Sequence, residues 1–505
     1  MSDNLFSILR SHFPQDETSE FILTGSGRVV TYADLLASTA RFANALVALG
    51  VVPGERVAVQ VDKSVEALML YLATLRAGGV FLPLNTAYTA SELAYFLGDA
   101  EPVLTICRPE NLSEIAAIAK AAGVARVETL GADGDGSLLD HVAAAEPSFA
   151  DVARAGDDLA AILYTSGTTG RSKGAMLTHR NLSSNAQALA ETWRFTAADR
   201  LLHALPIFHT HGLFTATNTV LMTGGSMLFL PRFDAQEVLE LLPDATAMMG
   251  VPTFYIRLLQ QPELTAELVS HIRVFISGSA PLSPEVHTEF AKRTGQAILE
   301  RYGMTETGMN TSNPLDGERR AGTVGFPLPG IQIRIADAKT GAAVEAGEIG
   351  VIEIKGPNVF KGYWRMPEKT AEELREDGFF ISGDLGLIDD RGYLNIVGRD
   401  KDLIISGGFN VYPAEIEAAI DSIPGVVETA VIGAPHPDLG EAVTAVVVCN
   451  AGAEVDEASV MDRLDGELAR FKQPKCVFFV DTLPRNAMGK IQKKELRETF
   501  KNTYS

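Results

Sequence analysis

Cysteine is scarce in this 505-residue chain: there are three, Cys107, Cys449 and Cys476, far apart and in no CxxC or CxxH spacing. That excludes a disulfide framework and a zinc knuckle, and it fits a reducing compartment. Basic residues are in deficit too, with 43 Lys and Arg against 64 Asp and Glu, a formal charge of -21. A chain so acidic repels phosphate backbones and anionic lipid at long range, so neither nucleic acid nor a membrane surface is expected as a partner. The opening residues, MSDNLFSILRSHFPQDE, carry charge too early for a secretory apolar core, so a cytoplasmic location is expected. No fixed-period repeat or long low-complexity tract is found, and 46% hydrophobic with 21% charged residues is ordinary for folded protein. Disorder, collagen-like sequence and coiled coil are thereby excluded.

One local absence could mislead. From Leu201 to Pro231 there is no Asp, Glu, Lys or Arg, a length that would span a bilayer. The same stretch holds His203, His209, His211, five threonines and Asn218, too much hydrogen-bonding capacity for hydrocarbon. It reads as a segment buried inside protein.

What is present alternates. RVAVQV (56–61) is followed by the helix-like VEALMLYLATLRAGG and then by VFLPL (80–84); MMGVPTFYIRLL and VFISGSAPLSPEVHTEFAKR repeat strand, turn and helix, with Ser283 as N-cap and Pro284 at the first helical position. This predicts an α/β fold with parallel sheets covered by helices. From about residue 320 short strands with glycine turns, such as EIGVIEIKGP and GYLNIVGR, predict a small β-barrel or sheet appended to that core. Beyond Asp402, with Pro413 opening an amphipathic helix, the pattern predicts a second, small α/β domain. The expected division is 1–400 and 401–505. The last 36 residues, from Arg470, carry nine Lys and Arg against three Asp and Glu, reversing the sign of the whole chain.

The sharpest motif is LYTSGTTGRSKGAMLTHRNL, residues 163–182. Three glycines among Ser and Thr, with one lysine, make a loop whose backbone N–H groups and hydroxyls can wrap phosphate oxygens. It is not a Walker A loop, since Ser172 precedes the lysine and no Ser or Thr follows it. The bland alternative is a surface linker, but the apolar LAAILY before it and the helix-like NLSSNAQALAETW after it place it at a strand end, where binding loops sit.

TSGTTGRSKG, RYGMTETG (301–308), ISGDLG (381–386), GRDKDLIISGGFNVYPAEIE (398–417) and PRNAMGKIQKKEL (484–496) together resemble the adenylate-forming superfamily of acyl-CoA synthetases, luciferases and peptide-synthetase adenylation domains, in that family's order and over nearly the whole chain. Within it, ERYGMTET, DGERRAGTVG and LPRNAMGKIQKK are most similar to the malonyl-CoA synthetases. The resemblance implies a two-step ligase. A carboxylate attacks the α-phosphorus of ATP, giving an acyl-adenylate and pyrophosphate, and coenzyme A then takes the acyl group. It implies a large N-terminal domain and a mobile C-terminal domain.

It also assigns residues. Thr165, Ser166, Gly167, Thr168, Thr169, Gly170 and Lys173 would surround the β- and γ-phosphates, with Mg2+ on Glu306, since carboxylate oxygen suits that ion. Gly278, Ser279, Ala280, Tyr302 and Thr305 resemble the adenine and α-phosphate shelf, and Asp384 and Arg399 the ribose contacts. Lys490 would be the catalytic lysine of the first step, bridging two anions as charge moves to pyrophosphate. Acetylation would delete its charge, so a lysine acetyltransferase and deacetylase are implied partners. Lys401 matches the family's hinge position, and Gly407, Gly408 and Phe409 the loop that lines the pantetheine tunnel. His209 matches the gate of the carboxylate site; for His203 and His211 a satisfied core histidine is an equal reading.

Two arginines stand where an acyl pocket is expected. Arg257, on the helix opened by GVPT, and Arg301, just before Tyr302, could each grip a second carboxylate, a function useless to a fatty or aromatic acid. For Arg257 the alternative is a helix-surface charge paired with a glutamate. Malonate is the expected substrate, with methylmalonate or another short acid as the alternative, because one methyl is worth only about 1–3 kcal/mol of discrimination. A non-catalytic nucleotide-binding regulator is the rival of a different class.

Overall fold

The computed structural model describes residues 2–165, 172–465, 467–486 and 489–504. Two large sheets dominate. One has nine strands, of which Leu299–Met304, Val274–Ser277, Ala247–Gly250, Arg200–His203, Ser226–Phe229 and Glu20–Thr24 run parallel, with antiparallel strands at both edges. The other has six, parallel from Arg126–Thr129 through Leu104–Cys107, Arg56–Gln60, Val80–Pro83 and Leu159–Thr165, and closed at one edge by the antiparallel Lys173–Thr178. Strands rich in Val, Ile, Leu and Ala are covered on both faces, which is why the run VEALMLYLATLR folds as the helix Val65–Arg76 with no solvent-facing side.

Helix starts are written in local chemistry. Thr31, Thr89 and Thr178 each open a helix with a reciprocal capping box to Asp34, Glu92 and Asn181. Ser283 accepts from the Val286 amide at the head of Pro284–Thr294, with Pro284 supplying a preset φ.

The glycine-punctuated region read as a small barrel or sheet is a four-stranded antiparallel sheet, Gln332–Ala336, Gly350–Lys355, Phe380–Ile388 and Leu394–Arg399. A fourth sheet holds Ile404–Ser406, Phe409–Val411, Val426–His436, Gly440–Cys449 and Cys476–Phe479, covered by Pro413–Asp421 and Glu457–Leu464.

The uncharged stretch is interior: the strand Arg200–His203, a wide-pitched π-helical turn His211–Thr217, a short helix Asn218–Leu221 and the strand Ser226–Phe229 are nearly all buried. Among the described residues no helix is long and apolar enough to cross a membrane. His203, Gly250, Ser277 and Met304 end four parallel strands of the nine-stranded sheet. Open α/β sheets place ligands beyond such carboxyl ends, and the residues singled out from the sequence cluster there.

Candidate functional site

Leu159–Thr165 and Lys173–Thr178 pair with Thr165 opposite Lys173, so the glycine-rich segment is the connection of a β-hairpin, with the helix His179–Thr192 following the second strand. Ser166, Gly167, Thr168, Thr169 and Gly170 lie outside the described residues. Lys173 does not point into open space. Its Nζ lies 3.0 Å from Glu373 Oε1 and 4.1 Å above the Tyr363 ring. Tyr363 Oη in turn is 2.6 Å from Glu373 Oε2 and 3.1 Å from Glu306 Oε1. A phenol has one proton, so Tyr363 serves one of these carboxylates at a time. Glu306 is buried, and burial pushes its carboxyl above the usual range, against the pull of its own backbone amide and of the Lys173 charge.

A second cluster is built across two sheets. Tyr302 Oη donates to Asp384 Oδ2 at 2.6 Å, and Arg399 Nε lies 3.0 Å from Asp384 Oδ1. Asp384 and Arg399 are direct cross-strand partners in the antiparallel sheet, so their pairing follows from register. Gly278, Ser279 and Ala280 leave the end of Val274–Ser277, and Ser279 has φ of 73°, in the left-handed region that side chains other than glycine and asparagine avoid. Thr305 is half-buried and lines a small cavity with Thr210, Asn181 and Asn358.

A third cluster centres on Arg301. It is 4% exposed, and neither its Nε nor its Nη2 has a hydrogen-bond partner among the described residues. Buried arginines are nearly always paired, as Arg76 is with Asp151 at 2.7 Å. Burial lowers the Arg301 guanidinium to about 9, with Tyr255 pulling it back; it remains charged at neutral pH. The guanidinium lies against Gly278, where a Cβ would stand 2.3 Å from Arg301 Cζ, so any side chain at 278 would displace the guanidinium from this position. His209 and His211 face the same charge. His209 keeps part of its surface open to the cleft, and dense surroundings first, then Arg301 and Lys490, hold it at about 4, hence neutral. His211 is wholly buried and held well below its usual value by burial, then by Arg301.

The structure does not bring Arg257 into this group. The helix Pro252–Leu259 packs Tyr255 and Leu258 inward, so position 257 faces solvent, and among the described residues no acid pairs with it. The 3.6-residue period decides this, not the residue type.

Lys490 follows Gly489, whose Cβ position lies 3.5 Å from Thr253 Oγ1, so the C-terminal segment rests on the first turn of that same helix. The Lys490 amide donates to Asn486 Oδ1 at 2.9 Å. Its ammonium is lowered to about 8 by burial, then by Arg399, with Asp384 opposing. Lys401 sits in the short turn Asp400–Asp402 and is likewise lowered to about 8 by burial, then by Arg399. Gly407, Gly408 and Phe409 are apart from this centre: φ values of 57° and 85° make the tight hairpin turn, and exposed Phe409 stacks on Phe471 with ring centroids 4.6 Å apart.

Sequence reasoning missed Tyr363 and Glu373, which lie in a stretch with no motif signal, and Lys63, whose Nζ meets His203 Nδ1 at 2.9 Å. His203 Nε2 faces the Gly212 carbonyl at 2.9 Å, so that ring is a satisfied core histidine tying the π-helical turn to the strand end.

Residues 11–364 match the family of AMP-binding enzymes, and residues 415–490 match the AMP-binding enzyme C-terminal domain. Among solved structures, ATP-bound MatB from Rhodopseudomonas palustris is 61% identical, with all of both chains covered and a TM-score of 0.98; the apo form of MatB gives 0.86. By sequence the chain is 33% identical to a malonate–CoA ligase of Arabidopsis thaliana, covering 99% of this chain and 90% of the relative. It is 38% identical to a feruloyl-CoA synthase of an Amycolatopsis species, covering 94% of each.

Proposed function

The chain belongs to the AMP-binding enzymes, and from that premise we propose that it is an AMP-forming acid–thiol ligase that makes malonyl-CoA from malonate, ATP and coenzyme A. The observation that carries the choice of acid is Arg301, a buried guanidinium that among the described residues has two unpartnered nitrogens and no resident carboxylate. A fatty or aromatic acid would leave that charge buried and unpaired, whereas a short dicarboxylate supplies its counterion. Arg301, rather than the exposed Arg257, is the grip.

In the first step one malonate carboxylate oxygen bonds to the α-phosphorus while the bond to the β-phosphate oxygen breaks and pyrophosphate leaves. Lys490 holds the two approaching anions together, and Lys173 and the glycine-rich segment hold the triphosphate. Asp384 and Arg399 take the ribose, and Gly278 to Ala280, Tyr302 and Thr305 the adenine. Neutral His209 gates the reacting carboxylate without adding a charge of its own. In the second step the thiol sulfur bonds to the acyl carbon, AMP leaves, and the thiol proton passes to solvent. Lys490 must withdraw first, by rotation of 401–505 about Lys401, which brings Gly407, Gly408 and Phe409 inward.

Glu306 fits Mg2+: among the described residues it is a buried carboxylate whose only side-chain hydrogen-bond partner is Tyr363, and no cluster of three protein ligands there competes for the ion. Mg2+ retains waters and phosphate oxygens in such sites and, when bound, neutralises triphosphate charge. Acetylation of Lys490 by a lysine acetyltransferase would remove the first step's bridging charge. The three scattered, unpaired cysteines support a cytoplasmic setting.

The test is ATP-dependent coenzyme A ligation across malonate, methylmalonate, acetate, octanoate and ferulate. Malonate should give the highest kcat/KM; faster ligation of octanoate or ferulate would overturn the reading.

A further inference from the structure

The nitrogens of Arg301 are not the only unsatisfied polar atoms at the acid end. His211 is fully buried; its Nδ1 lies 3.2 Å from Ser279 Oγ, and its Nε2 has no hydrogen-bond partner among the described residues. The two orphaned side chains share one backbone turn: Gly278 is the surface on which the Arg301 guanidinium lies, and the next residue, Ser279, holds the His211 ring. Ser279 keeps a left-handed φ of 73° to do so. Such strain persists only where surrounding contacts over-determine it, and it gathers at ligand clamps. Burial and the neighbouring Arg301 charge keep the ring neutral, so it carries a single N–H. In the tautomer in which the Ser279 hydroxyl donates to Nδ1, that hydrogen is on Nε2, the atom without a partner among the described residues. Of the other groups facing Arg301, Tyr255 already donates to the Ile276 carbonyl at 2.6 Å, and His209 Nδ1 accepts from the His211 amide at 3.3 Å.

We propose that His211, through Nε2, acts with Arg301 to hold the unreacting carboxylate of a short dicarboxylic acid, and that Ser279 fixes the ring for this role. The proposal rests on the malonate reading above and deepens it: discrimination between a diacid and the monoacid of similar size belongs to a His–Arg pair, not to Arg301 alone. A monoacid such as propionate leaves both donors unpaired and cannot report on either of them.

The experiment compares kcat/KM for malonate and propionate in thioester formation by the full chain and by His211→Asn, His211→Gln and Ser279→Ala. His211→Asn, which reaches only the Nδ1 side, should lower malonate kcat/KM about ten-fold or more, chiefly through KM, with propionate changed less than about two-fold. His211→Gln, which returns an N–H near Nε2, should recover part of the loss. Ser279→Ala should shift the ratio the same way by a few-fold; any effect of Ser279 on ATP cancels in that ratio. Parallel loss on both acids in the His211 variants, with an unchanged ratio in Ser279→Ala, overturns the role of His211 while leaving malonate as substrate. If the wild type itself fails to prefer malonate over propionate, the substrate reading falls, and this proposal with it.

Discussion

Replacing Arg301 by methionine should make the ligand-free protein more stable and make it useless on malonate. The guanidinium is 4% exposed, pairs with no carboxylate among the described residues and is lowered from the usual arginine range to about 9. At ~1.4 kcal/mol per tenfold change in proton affinity, that lowering corresponds to a burial cost of about 4–5 kcal/mol. Methionine removes the charge, fills most of the stem's volume and leaves a packing defect of about 1–3 kcal/mol, so a net gain of about 1–4 kcal/mol is expected. Urea denaturation of the apo protein reads this as a raised midpoint at constant slope. On the functional side, losing one partner of a buried charge-assisted pair costs about 2–5 kcal/mol, so malonate kcat/KM should fall between about 30-fold and 4,000-fold. Malonate at about 100 times its Kd stabilises the wild type by about 2.7 kcal/mol and should not stabilise the variant. A variant that is less stable than wild type and still ligates malonate would refute the argument on both counts.

Lys490→Ala should lower adenylate formation, followed by pyrophosphate release, by several orders of magnitude while thioester formation from supplied malonyl-adenylate continues; equal loss of both steps would remove Lys490 from the first one. In the wild type that first step should slow as pH rises through about 8, where the buried ammonium sheds its proton. Lys401→Pro should spare adenylation and block thioester formation, and normal progress through both half-reactions would exclude a hinge at this position. Glu300 is buried with Oε1 unpartnered, and burial pushes its carboxyl up to about 8. Its protonated form is favoured by folding, so its contribution is fully present below the unfolded pKa and declines by ~1.4 kcal/mol per pH unit as pH climbs to about 8. Glu300→Gln should therefore gain on wild type between pH 5.5 and 8 in chemical denaturation, and a constant difference across that range would contradict the assignment.

The motif carriers and many element starts were legible because they depend on local chemistry. Ser283 with Pro284, and Pro413 at the head of Pro413–Asp421, announce their helices within a few residues. The uncharged stretch announced its burial by composition alone. What could not be read depends on distant chain segments meeting. The orphaned state of Arg301 is a statement about every residue around it, and the exposure of Arg257 depends on which face of its helix packs against Phe290 through Tyr255. The left-handed φ of Ser279 has no composition signal, because serine is an unusual occupant of that region. Glu373 meets Lys173 across 200 positions, a separation no periodicity spans.

That last contact gives the two anion subsites opposite selectivities toward small competitors. Lys173 is never bare, since Glu373 is tethered beside it and Tyr363 steadies that carboxylate. A tethered group competes at high effective concentration, so inorganic phosphate or sulfate at cellular levels must displace an acid that cannot diffuse away. A chelated triphosphate, with several contacts made at once, can. Among the described residues no carboxylate pairs with Arg301, so a small carboxylate admitted to that site meets no tethered rival. The enzyme should accordingly be indifferent to free phosphate yet open to inhibition by short dicarboxylates that bind and cannot react.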